Sequence, residues 1–140
     1  MATIKRFEYI HSWQKARILS KEIYTITKIG EFSKDYDLKN QIRKASGSVM
    51  DNIAEGFERG GKGEFVQFLG IAKGSSGEVR SQLYRALDQG YIDKKMFNTL
   101  YSLSDEIGKM IKGMITYLNS TIIKGQKYKK RSNSKLETLN

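Results

Sequence analysis

From Leu38 to Arg59 the chain carries two stripes at the helical period, one apolar and one polar, running side by side. Leu38, Ile42, Val49 and Ile53 make the apolar stripe. Gln41, Ala45, Ser48, Asn52, Glu55 and Arg59 make the polar one, at alternating steps of four and three. A later segment repeats the arrangement, with Ser75, Glu78, Gln82, Arg85 and Gln89 beside Phe65, Phe68, Ala72, Val79, Leu83 and Leu87 or Ala86. Paired seams of this kind restrict the chain to helices that pack partly through hydrogen bonds. They point away from an enzyme pocket.

The rest of the chain keeps the helical period. The first helix is expected from Ser12, as N-cap, to Ile29, with Trp13, Ala16, Leu19, Ile23 and Ile26 inward and Gly30 as the stop. After a loop from Phe32 to Tyr36, Asp37 caps a second helix that reaches Arg59. Gly60-Gly-Lys-Gly63 breaks it, because three glycines in four residues disfavour helix. The third helix is expected from Glu64 to Gln89, ended by Gly90, and the fourth from Lys94 to Ile123, capped by Asp93. No proline interrupts any of them, and no segment alternates with period two. The fold class is therefore all-α, an up-and-down antiparallel four-helix bundle.

Two features of these helices suggest close neighbours. Gly70, Gly74 and Gly77 fall within two turns, each costing about 1 kcal/mol against alanine, so another backbone is expected to approach there. The fourth helix carries Met96, Leu100, Leu103, Ile107, Met110, Met114 and Tyr117, with a second apolar row alongside. So wide a face exceeds what one bundle seam needs, and part of it is expected to be buried between subunits.

Length and charge set the remaining bounds. At 140 residues the chain makes one domain, 1–123, followed by a basic and disordered tail, 124–140. The net charge is +10, and six Lys/Arg against Glu137 place half of it in the tail. Such a balance attracts polyanions, or else serves solubility. No cysteine, no membrane-length apolar run and no signal-like core in Met1 to Phe7 leave the cytoplasm as the expected compartment, with no membrane contact.

Catalytic chemistry finds little support. Glu55 and Glu78 invite comparison with di-iron bundles, but those need two Glu-x-x-His motifs and this chain has only His11. Glu55 is expected to pair with Arg43, Arg59 or Arg85, or to accept from Asn52 and Ser75. Ser48, Ser75 and Ser76 have no oriented base. Gly60-Gly-Lys-Gly63 lacks the ending and the preceding strand of a P-loop. No catalytic residue, metal or cofactor is expected. Gln41, Ser48, Asn52, Glu55, Ser75 and Glu78 read as a structural polar seam. The nucleic-acid candidates are Arg43, Lys44, Arg59 and Lys62 in the domain, with Lys127, Lys129, Lys130 and Arg131 in the tail.

Several segments carry a resemblance. Trp13-Gln14-Lys15-Ala16, Gln41-Ile-Arg-Lys-Ala45 leading to Ser48, Asn52-Ile-Ala-Glu-Gly56, Phe65-Val-Gln-Phe68 and Ala72-Lys-Gly-Ser75 with Glu78 stand in order over residues 5–120. This pattern resembles the four-helix-bundle proteins encoded in 23S rRNA intervening sequences. The resemblance implies a bacterial, cytoplasmic homopentamer with no assigned enzymatic activity. It also implies kinship with accessory proteins of diversity-generating retroelements, which bind nucleic acid and a reverse transcriptase. Many members carry a proline two residues after the serine, where this chain has Met50. The expected function is non-enzymatic nucleic-acid binding, RNA foremost. The alternative is a scaffold or accessory subunit for a partner enzyme such as a reverse transcriptase.

Overall fold

The computed structural model describes residues 4–125, with side chains described through residue 120. Four α-helices dominate: α1 His11–Thr27, α2 Tyr36–Glu58, α3 Lys62–Asp88 and α4 Lys94–Gly125. Short 3-10 turns, Phe7–Tyr9 and Gly30–Lys34, precede α1 and α2. The described residues contain no strand. Each helix packs on its sequence neighbour, and α1 also packs on α4. Contacts between α2 and α3 run from Gln41–Arg85 through Ser48–Ser75 to Arg59–Glu64, so the partner's number falls as that of α2 rises. α2 continues through Met50 unbroken.

Most of the apolar stripes meet where their periods predict, although in α3 it is Leu69 and not Phe68 that is fully buried. Leu19 and Ile23 of α1, Ile42, Val49 and Ile53 of α2, Leu69, Val79 and Leu83 of α3, and Ile107 and Ile111 of α4 are all fully buried in one core. Each such side chain contributes about 1.5–3 kcal/mol on leaving water.

Helix starts depart from expectation in three places, in the first two because packing overrides the local signal. Ser12 lies inside α1 and is fully buried, while Ile10 takes the extended cap position without a side-chain cap. Burial of Ile10 fixes that entry. Asp35 rather than Asp37 caps α2: its Oδ1 accepts from the Leu38 amide at 3.1 Å and its Oδ2 from the Tyr91 hydroxyl at 2.9 Å. Tyr91 in turn stacks on buried Phe32. Asp37 instead accepts from Gln41 Nε2 at 2.9 Å. Finally, α3 begins at Lys62, two residues early, because Gly60 alone, at φ 82°, completes the turn. Asp93 does cap α4, accepting from the Met96 amide at 2.8 Å.

The close helix approaches also fall elsewhere than expected. A Cβ built at Gly70 or Gly74 meets nothing within 4 Å, and one at Gly77 meets only Arg80 of its own helix. The tight crossing is at Gly56, where a Cβ would lie 2.6 Å from Phe68 Cβ and 3.1 Å from Phe65 Cδ1. A second lies at Gly108, 3.0 Å from Ser76 Oγ. Both α2–α3 and α3–α4 thus meet over a glycine, but it is the partner helix of α3 that supplies it.

Gly56→Ala should lower stability by about 2–3 kcal/mol, since the opposing atom is a Cβ that cannot swing away. Gly70→Ala should raise it by up to about 1 kcal/mol. Urea unfolding followed by circular dichroism separates the two. Equal effects would mean that α2 and α3 part without cost.

Asp35 also gives a pH dependence. The Leu38 amide, and then the Tyr91 hydroxyl, hold its carboxyl below the usual range. Because the folded value is depressed, the stabilisation is present above the unfolded value of about 3.9 and disappears as pH falls through the folded one. The melting temperature of Asp35→Asn should therefore fall less steeply than wild type below pH ~4. Parallel curves would remove Asp35 from the acid response.

Candidate nucleic-acid interface

The polar seam between α2 and α3 is hydrogen-bonded at its centre and open at its ends. Half-buried Ser48 shares a 2.9 Å hydroxyl bond with buried Ser75. Asn52 Nδ2 donates to Ser48 Oγ and to the Ser48 carbonyl, both at 2.8 Å. Towards one end, exposed Gln41 accepts from Arg85 at 3.3 Å. Towards the other, exposed Glu55 pairs with Arg59 at 2.9 Å, and Glu78 is exposed. Of the partners expected for Glu55, Arg59 is the one the fold provides, one helical turn away.

A second polar junction, between α3 and α4, escaped the sequence reading. Fully buried Ser104 donates through Oγ to the Ser76 carbonyl at 2.8 Å. Arg80 Nη1 reaches Ser76 Oγ and the Ser104 carbonyl, each at 3.4 Å. Ser104 lay within an apolar row of α4, and only its pairing across helices reveals the junction.

The basic candidates do not gather into one patch. Arg43 is half-buried at the α1–α2 junction, where Nε donates to Thr27 Oγ1 at 2.8 Å and the guanidinium lies 4.5 Å over the Tyr24 ring. Lys44 beside it is exposed. Arg59 lies sixteen residues on, about 24 Å along the helix. It is held by Glu55 at 2.9 Å and by Glu64 at 3.7 Å, and the Glu55 bond raises its pKa. The Lys62 ammonium is sealed from solvent with no hydrogen-bond partner, and that desolvation lowers its pKa. Lys127, Lys129, Lys130 and Arg131 lie outside the described residues.

The fold assembles a different basic surface on α1. Arg17, Lys21, Tyr24 and Lys28 recur at steps of four, three and four, so they share one face over about 16 Å. All four are exposed, and Arg17, Lys21 and Lys28 form no ion pair among the described residues. Arg43 extends the row onto α2 by stacking over Tyr24. At the other end the row opens into a groove of about 470 Å³ lined by Glu8, Trp13, Gln14, Arg17, Ile18 and Lys21. Glu8, the acid in that groove, is already bound to Arg6 at 2.8 Å, a bond that lowers its pKa. Half-buried Trp13 lies edge-on to Phe7. The spacing of Arg17, Lys21 and Lys28 was visible in the sequence but was overshadowed by the apolar period of the same helix.

The model of the 23S rRNA-intervening sequence protein family matches residues 8–113. The chain belongs to this family. The match begins in the turn before α1 and ends in α4, so it takes in all three helix junctions described above. No curated protein matches the chain. Among the described residues no helix is long and apolar enough to cross a membrane.

The seam gives one mutational expectation. Asn52→Leu removes both bonds to Ser48 and should cost about 1–2 kcal/mol of stability. Nucleic-acid affinity per folded molecule should stay the same. Intact stability with lost binding would overturn the structural role of Asn52.

Proposed function

We propose that this family member is a non-enzymatic, homo-oligomeric nucleic-acid-binding protein of the cytoplasm, with RNA as its polyanion. The observation that carries this reading is the α1 stripe: three exposed cations without acidic partners, interleaved with Tyr24 and continued by Arg43. Phosphates neutralised there release counterions, which drives binding and makes it fall with salt. Tyr24, and Trp13 in the adjoining groove, offer ring faces on which unpaired bases stack. A net charge of +10 adds long-range attraction.

In this reading the helices form an up-and-down antiparallel bundle, and five bundles assemble. The falling partner numbers along α2 and α3 support the first part. Support for assembly comes from α4, where Met96, Leu103, Met110 and Tyr117 recur every seven residues and stay only half-buried within one chain. Covering that row with another copy removes apolar area from water. Several α1 stripes on one particle then bind one strand with avidity.

The test is fluorescence anisotropy of a single-stranded RNA with the full chain and with Arg17→Gln/Lys21→Gln/Lys28→Gln, across a salt series. The triple variant should bind at least about tenfold more weakly, and its log–log salt slope should shrink by about 2, near 0.7 per lost contact. Analytical ultracentrifugation should return the same pentamer for both proteins. Unchanged affinity and slope in an intact variant would remove the α1 stripe from binding.

A further inference from the structure

Between α3 and α4 lies a cleft of about 170 Å³ lined by Lys73, Arg80, Asp105, Gly108, Lys109 and Lys112. Four cations face one carboxylate there, leaving a formal excess of three positive charges. Asp105 is already engaged, accepting from Lys109 at 3.0 Å. Like charges brought together on two helices make the cleft electropositive, which favours an anion there.

The arrangement is also held in place. Arg80 is half-buried, and it has no carboxylate within ion-pair distance among the described residues. Nη1 is tethered to Ser76 Oγ and the Ser104 carbonyl, each at 3.4 Å, and the group lies 6.0 Å from the centre of the Tyr101 ring. An arginine has five N–H donors in a rigid fork, so Nε and Nη2 remain available for an oxyanion. Gly108 keeps the wall clear, since a Cβ at that position would sit 3.3 Å from Arg80 Nη1. Lys73 and Lys112 are exposed at the rim.

Size narrows the ligand. Drug-sized or cofactor-sized molecules occupy pockets of roughly 300–1,000 Å³. The smaller volume here suits a single tetrahedral oxyanion with a few waters, each of about 30 Å³. We infer that this cleft is a binding site for one phosphoryl group, with Arg80 as the fixed fork and Lys73, Lys109 and Lys112 as flexible point charges. The group belongs either to free phosphate or a small phosphorylated molecule, or to the backbone of a nucleic acid.

The experiment titrates the full chain with inorganic phosphate and with pyrophosphate by isothermal calorimetry at constant ionic strength. Lys73→Gln/Lys112→Gln, at two exposed positions, is compared with Lys94→Gln/Lys95→Gln, which removes the same charge at exposed residues outside the cleft. Expected is saturable binding, weakened about tenfold in the first variant and unchanged in the second. A single-stranded RNA is then tested for competition with pyrophosphate. Displacement identifies a backbone phosphate as the occupant, and phosphate binding without displacement identifies a free phosphorylated species. RNA affinity that drops only in the cleft variant, with no phosphate binding, also supports the site in its nucleic-acid form. Equal behaviour of the two variants towards every probe, or no saturable binding of any probe, would overturn it.

Discussion

The contact on which the rest of the structure depends is the crossing of α2 and α3 at Gly56. A hydrogen atom in place of a side chain lets Phe65 and Phe68 lie directly against the α2 backbone. That depth of approach lies along the same helix pair as the 2.9 Å Ser48–Ser75 bond, which Asn52 supports from one turn away. Were the helices held further apart, Ser48 would keep Asn52, but the buried Ser75 hydroxyl would lose its bond to Ser48, a penalty of about 1–3 kcal/mol. The glycine and the seam therefore work together. Close packing makes the hydrogen bonds possible, and the hydrogen bonds favour the register that keeps the glycine opposite the phenylalanines.

The same logic recurs between α3 and α4, with different consequences. Gly108 admits Ser76 and Arg80, and Ser104 closes the junction by donating to the Ser76 carbonyl. Because one member of this junction is charged and half-buried, the close crossing also fixes a guanidinium at the edge of a cationic cleft. A packing device thereby becomes a device for positioning charge. On α1 the charge is arranged differently: Arg17, Lys21 and Lys28 project from one helix and need only its period to align.

Much of the fold could be read from the chain because it rests on period. Most of the expected apolar residues of the four helices fell on inward faces, and the glycine breaks at Gly30, Gly60 and Gly90 coincide with positive φ. The helix starts were less readable, because Ser12 and Asp37 offered good capping chemistry that burial of Ile10 and the reach of Tyr91 overruled. Glycine was misread for a related reason. Its cost within a helix is local, so Gly70 and Gly74 signalled as strongly as Gly56, while the benefit of close approach depends on what lies opposite.

By itself, then, the sequence determined the class of structure, the number and order of the helices, most of their inward faces and the excess of positive charge. These follow from spacing and composition, which each helix carries within its own residues. Only the tertiary structure decided which cations are free and which are spent. Arg59 is neutralised by Glu55 and Glu64 and the Lys62 ammonium is sealed away, whereas Arg43 keeps its charge and is held by Thr27 and Tyr24 at the end of the α1 row. Arg17, Lys21 and Lys28 are left facing solvent, and Arg80 joins lysines from two helices around one cleft. The physical reason is that the availability of a charge depends on its neighbours in space, and those neighbours come from other helices.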